Sequence, residues 1–185
     1  FYQKKCGQKV HGIDTIRVDT VFNEIKELRK LSFCVIVTAF KEPNIGKAIE
    51  AIGGQEMSLP YRVIVSAPDE ETAIRAKGYV AKYGIRVYRD PGRGKSYALN
   101  LLFKDVKEDI LILTDGDTIV GDEAIAEIIK KFRDPAVGVV TGRVVSANSK
   151  STMLGYWSHL LADAGAHRIR KEQDMKDAFI EATGY

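Results

Sequence analysis

The period of the apolar positions changes repeatedly along this chain, and each change marks a new element. Residues 1–17 carry weak periodicity and read as a loop or lead-in. From Val18 to Leu31, residues Val18, Val21, Phe22, Ile25, Leu28 and Leu31 recur at spacings of three and four, which predicts an amphipathic helix. "FCVIVTAF" (33–40) is a continuous apolar run rich in β-branched residues, the pattern of a strand covered on both faces. "NIGKAIEAIGG" then predicts a helix opened by Pro43 and Asn44 and closed at Gly53–Gly54. The alternation continues through the strand "YRVIVS", the helix "DEETAIRAKGYVAKYG", the strand "IRVYR", the helix "GKSYALNLLFK" and the strand "DILILTD". A helix "GDEAIAEIIKKF", a strand "VGVVTGRVV" and a longer helix over 149–173 complete the series. Strands separated by helices of this length predict right-handed βαβ crossovers, hence an α/β fold with a mostly parallel, Rossmann-like sheet.

In such sheets ligands bind beyond the carboxyl ends of the strands. Four predicted strands end in polar residues: Thr38 with Glu42, Ser66 with Asp69, Arg89 with Asp90, and Asp115 with Asp117. Parallel strands would bring all four ends to one edge.

Composition narrows the class without naming it. A chain of 185 residues is about one domain, and 45% hydrophobic with 29% charged residues is the balance of a globular protein with a core. A net charge of +3 is too small to point to nucleic acid. No apolar run approaches the roughly 18–20 residues of a membrane span, and no signal peptide is evident. The chain starts at Phe1 and closes on "EATGY", which reads as a strand cut short, so a fragment of a longer protein is expected. Cys34 sits inside an apolar strand and Cys6 lies far from it, which predicts a core cysteine and a reducing compartment.

"ILILTDGDT" carries the sharpest chemical signal. Asp115 and Asp117 are separated only by Gly116, at the end of an apolar strand. Like charges that close repel unless something positive lies between them. Alternate residues of an extended strand point the same way, and Gly116 would permit the turn that aims both carboxylates at one ion. Hard oxygen ligands suit Mg²⁺ or Mn²⁺, which take much of their shell from water and substrate phosphates. The plainer alternative is a loop in which Asp115 caps the next helix and Asp117 is solvated.

"DPGRGKSYALN" (90–100) is the second constellation. Its glycines, Arg93 and Lys95 immediately precede a helix, whose exposed N–H groups favour an anion. The alternative is a Gly-rich turn with solvated basic residues. "GKS" also invites a P-loop reading, but that motif needs a glycine five residues before Gly94, where Arg89 stands. His159, Asp163 and His167 fall at i, i+4 and i+8, yet helix rise separates the outer pair by about 12 Å, too far for one ion. They are expected to be surface or packing residues.

Taken together and in order, these motifs resemble the nucleotide-sugar-binding core of family 2 glycosyltransferases, inverting enzymes of the GT-A fold, over about Phe33 to Val145. "VIVTAFKEPNIGKAIEAI" is similar to the family's opening strand, V-I-P-x-Y-N-E, with Glu42 on its acidic residue. The second constellation resembles the N-x-G-K-x-x-A-L-N loop at Gly94, Lys95, Ala98, Leu99 and Asn100. "ILTDGDTIVGDEAIAEIIKKFRDPAVGVVTGRV" resembles the D-x-D strand and the unit after it. The resemblance implies a lead-in over 1–31 and a GT-A domain over 32–185, truncated at its C-terminus.

It also implies roles. Thr38, Ala39 and Glu42 would line the nucleoside pocket, Arg93, Gly94 and Lys95 would lie near the nucleotide, and Asp115 with Gly116 would approach the ribose or the metal. Asp117 would hold Mn²⁺ or Mg²⁺ against the diphosphate of a UDP- or GDP-sugar. Where the family has a second Asp that contacts the base, this chain has Ser66, and Asp69 would substitute, which leaves the nucleobase open. The family's catalytic base falls beyond Tyr185, so the fragment is expected to bind donor and to transfer sugar poorly. The acceptor is open, with lipid-linked and polysaccharide acceptors both known in the family.

A related nucleotidyltransferase is the next reading, but "TAFKEPN" lacks the Gly-rich basic loop such enzymes carry after the first strand. A non-enzymatic binding domain is the third. A cytoplasmic location is expected, with any membrane association carried by segments outside this chain. Tyr156 and Trp157 are read as a packed aromatic pair and "HRIRK" as a solvated helix end, against the alternative of a membrane-surface contact.

Overall fold

The structure is a computed structural model that describes residues 2–5, 31–57 and 59–175. The predicted helix over Val18–Leu31 falls outside the described residues but for Leu31. The chain divides into two compact units, one over Arg17–Ile125 and one formed by Phe1–Ile16 with Ala126–Tyr185.

A short strand β1 (Tyr2–Lys5) comes first in the chain and belongs to the second unit. The first unit then runs β2 (Phe33–Thr38), α1 (Ile45–Gly53), β3 (Tyr61–Ser66), α2 (Glu70–Lys77), α3 (Val80–Tyr83), β4 (Arg86–Tyr88), α4 (Lys95–Asp105) and β5 (Ile110–Asp115). Its strands form one parallel sheet in the order β4-β3-β2-β5. The α/β fold and parallel sheet expected from the alternation are therefore present, and every strand ends at the same edge. The helix read over 69–84 is broken at Gly78 into α2 and α3.

β2 lies between β3 and β5, and its first five residues are buried, as a strand covered on both faces requires. Cys34 and Ile36 pack on one face with Ile64, and with Leu102 and Val106 from α4 and the residue after it. Pleat alternation sends Val35, Val37, Val63 and Val65 to the other face, and α1 buries Ile45, Ala48, Ile49 and Ile52 along one stripe. Each buried Val or Ile of this set contributes about 1.5–3 kcal/mol by leaving water. Cys34 is the core thiol expected, and burial pushes its pKa to about 11, with Glu108 adding to the rise. β5 is less enclosed than its apolar run suggests: it is the last strand of this sheet, and Leu113 is 48% exposed.

The opposite, amino-terminal edge of the sheet is pinned by polar groups. Asp109 accepts from both the backbone N–H and the hydroxyl of Ser32, each at 2.8 Å. These bonds, backbone first, hold the Asp109 carboxyl below its ordinary range. Glu108 pairs with Arg62, whose hydrogen bonds likewise lower the Glu108 pKa.

Helix α5 (Ala124–Lys131) follows and spans the division between the units. In the second unit, β6 (Val137–Thr141) pairs antiparallel with β1. Two expectations are corrected here. The lead-in contains a strand over Tyr2–Lys5, and β6 is no member of the parallel sheet. The predicted long helix is three joined pieces: α6 (Met153–Leu160), a π-helical stretch (Leu161–His167) and α7 (Arg168–Met175).

α6 is turned against its own amphipathicity. Its small and polar side packs inward: Gly155 lies so near Ser149 that a Cβ would come within 1.9 Å of the Ser149 carbonyl oxygen. Ser158 hydrogen-bonds Ser146 at 2.7 Å, and His159 meets the Asn148 carbonyl at 2.8 Å. Met153, Leu154, Tyr156, Trp157, Leu160 and Leu161 are exposed, so the aromatic pair is not packed as the sequence suggested. Asp163 pairs with Arg143 at 2.6 Å. His159 and Asp163 are thus packing and surface residues, as expected. No helix among the described residues is long and apolar enough to cross a membrane.

Candidate functional site at the carboxyl edge of the sheet

The sheet register decides what meets at this edge. Thr38 is the in-register partner of both Ser66 and Asp115. Pairing continues one step past the strands: the Ala39 N–H donates to Ser66 O at 2.9 Å, Ala67 N–H to Tyr88 O at 3.0 Å, and Gly116 N–H to Thr38 O at 2.9 Å. The loops that leave these ends therefore start from fixed positions.

Asp115 is the focus. Its Oδ1 accepts from the Thr38 hydroxyl at 2.8 Å and from the Lys95 ammonium. Lys95 is the first residue of α4, so the ion pair ties the second constellation to the first. Asp117 is exposed, and among the described residues no ion pair or side-chain hydrogen bond involves it. The two acids do not share a partner. Asp115 is held by Lys95 and Thr38, while Asp117 faces water.

Gly116 is present for a different reason from the turn expected of it. Its φ is negative, so its backbone is open to any residue. A Cβ there would come within 2.7 Å of Ala39 Cβ and 3.0 Å of Ile45 Cδ1. Close packing of β5 on the Ala39 loop and α1 is what excludes a side chain.

Gly94, unlike Gly116, has a positive φ, as Gly92 does in the same loop. It is the N-cap of α4 at φ 94°, ψ 161°, and no side chain caps the helix. The N–H groups at the start of α4 are thus left for an anion, with Lys95 beside them. Arg93 lies over the Tyr97 ring, 4.4 Å from its centroid, which holds the guanidinium near that helix end.

Ser66 and Asp69 are both engaged in hydrogen bonds that shape the edge. Ser66 is 1% exposed, and its hydroxyl donates to Asp90 Oδ2 at 2.9 Å. Asp90, itself buried, accepts from Gly92 N–H at 3.0 Å through its other oxygen and so shapes the loop into Gly94. Asp69 caps α2 through Thr72 N–H at 2.9 Å and accepts from Lys41 N–H at 2.9 Å. Desolvation raises the Asp69 pKa, but the N–H groups of Lys41 and Thr72 outweigh it and leave the net shift downward. Those bonds help hold Lys41 at φ 50°. Glu42 accepts from Asn44 N–H at 2.7 Å, and its own N–H donates to the Thr72 hydroxyl at 3.1 Å.

The residues sequence reasoning undervalued are Asp90 and Thr72. Asp90 was visible only as a polar residue at a strand end, and Thr72 as one more helix residue. A shallow hollow of about 140 Å³ lined by Lys41, Glu42, Pro43, Glu71, Thr72 and Arg75 lies at this edge. A larger one of about 430 Å³ lies elsewhere, around Tyr61 at the start of β3 and Tyr83. Asp115, Lys95 and Asp90 gather at the carboxyl edge, which makes it the candidate site.

Whether the edge suits a divalent cation turns on its donors. Among the described residues, no group of three or more His, Cys, Asp or Glu side chains is placed to hold a metal. One exposed carboxylate, with a second two residues away, fits an ion that takes the rest of its shell from water and a diphosphate. It does not fit a closed protein cage.

The family model described as glycosyltransferase like family 2 matches residues 31–180, and the chain belongs to that family. It is 26% identical over 157 residues to an N-acetylglucosaminyltransferase of Rhizobium leguminosarum bv. trifolii, covering 80% of this chain and 85% of that protein. Over 64 residues it is 42% identical to the poly-beta-1,6-N-acetyl-D-glucosamine synthase of Staphylococcus aureus, covering 34% of this chain but only 15% of the synthase. Among solved structures, S. aureus TarS 1-349 in complex with UDP-GlcNAc aligns at 21% identity and a TM-score of 0.44, over 55% of this chain and 32% of that one. The chain is therefore a glycosyltransferase domain by family.

Proposed function

We propose that this domain binds a UDP-linked sugar, with N-acetylglucosamine as the sugar, at the carboxyl edge of its parallel sheet. In this reading it transfers that sugar with inversion to a carbohydrate or lipid-linked acceptor. The observation that carries the reading is the register of β2 with β5, which sets Thr38 opposite Asp115 and brings Lys95 from α4 to the same point. The names of the relatives support the choice of sugar.

Each group has work in this reading. The α4 N-terminus, Lys95 and Arg93 would bind the diphosphate, because its charge suits helix N–H groups and side-chain cations together. Thr38, Ala39 and Glu42 would bound the nucleoside, with Asp69 and Thr72 fixing the loop that carries Glu42. Asp117 would hold Mn²⁺ or Mg²⁺, which when bound offsets the charge growing on the departing diphosphate. A single displacement with inversion needs a general base on the acceptor hydroxyl.

Calorimetric titration of UDP, GDP and UDP-N-acetylglucosamine, with and without Mn²⁺, tests the proposal. UDP should bind more tightly than GDP, and Mn²⁺ should strengthen it. Asp117→Ala should abolish the Mn²⁺ effect while leaving the melting temperature unchanged. Metal-independent binding that Asp117→Ala leaves intact would remove the metal from the reading.

A further inference from the structure

The pairing of Lys95 with Asp115 has a consequence for the order in which ligands can bind. The ammonium and the Thr38 hydroxyl converge on one oxygen, Oδ1 of Asp115. Asp117, two residues on, has no ion-pair partner among the described residues. Together Lys95, Asp115 and Asp117 thus carry a net charge of −1. A divalent cation arriving alone would meet that single charge, with one carboxylate already occupied by a cation of the protein.

The pair is also easily exchanged. Its side chains are 52% and 39% exposed, so water competes for both, and an ion pair of this kind is held weakly. Lys95 is the first residue of α4, next to N–H groups that no side chain caps. A diphosphate seated there gives the ammonium a more highly charged partner a short side-chain swing away.

We propose that Lys95 is a resident counter-ion that makes divalent-cation binding at Asp115 and Asp117 conditional on a diphosphate. With no nucleotide present, Lys95 neutralises Asp115 and the edge holds a free divalent ion poorly. When the diphosphate arrives, Lys95 turns to it and leaves Asp115 unpaired, so both carboxylates would be available to hold the cation beside the diphosphate. By linkage, the cation tightens the diphosphate by the factor that the diphosphate tightens the cation. This inference rests on the nucleotide-sugar reading of the edge, and it adds an order of events to it.

The test measures free Mn²⁺ by electron paramagnetic resonance during titration of the whole chain, with and without UDP, for the native protein, Lys95→Met and Lys95→Arg. In the native chain, Mn²⁺ alone should bind weakly and UDP should tighten it. Lys95→Met keeps the length of the side chain without its charge. It should bind Mn²⁺ alone on the order of tenfold more tightly, and the tightening by UDP should shrink. Lys95→Arg keeps the charge and should bind Mn²⁺ alone as weakly as the native chain. Equal affinity of native and Lys95→Met protein for Mn²⁺ alone, with UDP still tightening Mn²⁺ in the native chain, would overturn the counter-ion role and leave the donor site standing. No tightening by UDP in the native chain would overturn the counter-ion role and remove the metal from the donor-site reading.

Discussion

Gly116 and Ala39 approach so closely that a Cβ built on the glycine would lie 2.7 Å from the Ala39 Cβ. This contact sets the seat of the loop after β2 against the acids after β5. Gly116→Ala should therefore push the two loops apart, costing about 1–3 kcal/mol of stability as overpacking does. The check is a double-mutant cycle: Ala39→Gly should recover part of the loss in a thermal melt, and UDP affinity should follow it.

Asp69 joins two loops through two backbone N–H groups, those of Lys41 and Thr72. Asp69→Ala should cost about 1–2 kcal/mol, the ordinary value of a lost N-cap with a further released donor. Asp69→Asn should retain most of the stability, because an amide oxygen still accepts. Chemical denaturation of the two variants separates these outcomes.

Ser66→Ala would leave a carboxylate oxygen of buried Asp90 without its hydroxyl donor. A buried acceptor left unpaired costs about 1–3 kcal/mol. Asp90 also fixes Gly92 on the way to Gly94, so diphosphate affinity should fall with stability. A matched pair of melts and UDP titrations for Ser66→Ala and Ser66→Thr measures this, and the Thr variant should bind UDP better than the Ala variant.

Asp69, Glu108 and Asp109 all have folded-state pKa values below their ordinary ones. Depressed carboxylate pKa values mean that their stabilisation is present above the unfolded range near pH 4, and is lost as pH falls through the folded values. The chain should therefore lose stability below about pH 4, and Glu108→Gln should reduce the slope of that loss. Melting temperatures between pH 3 and pH 7 report it.

Much of the architecture was legible because it follows from local pattern. Strand Tyr61–Ser66 has the bounds its apolar run predicts, and α1 closes at the glycines that mark its end. The strand-end rule likewise put Thr38, Ser66, Asp90 and Asp115 at one edge. What sequence could not reveal are relations between distant residues. Ser66 and Asp90 are 24 positions apart and read as two separate polar strand ends, yet they satisfy each other. Lys95 and Asp115 read as separate binding groups, yet they neutralise one another. Gly116 looked like a turn residue because glycine serves both flexibility and close contact, and only packing separates the two. β6 misled for a related reason: an apolar run of its length suits either a parallel or an antiparallel partner, and pairing with β1 depends on residues far away in the chain.

The reversed orientation of α6 sets how this protein behaves in a tube. With Ser158 and His159 turned inward and Trp157 outward, the helix offers water its greasiest side. Concentrated samples should bind hydrophobic dyes while fully folded, and Trp157 should fluoresce at the red-shifted wavelengths of a wet indole.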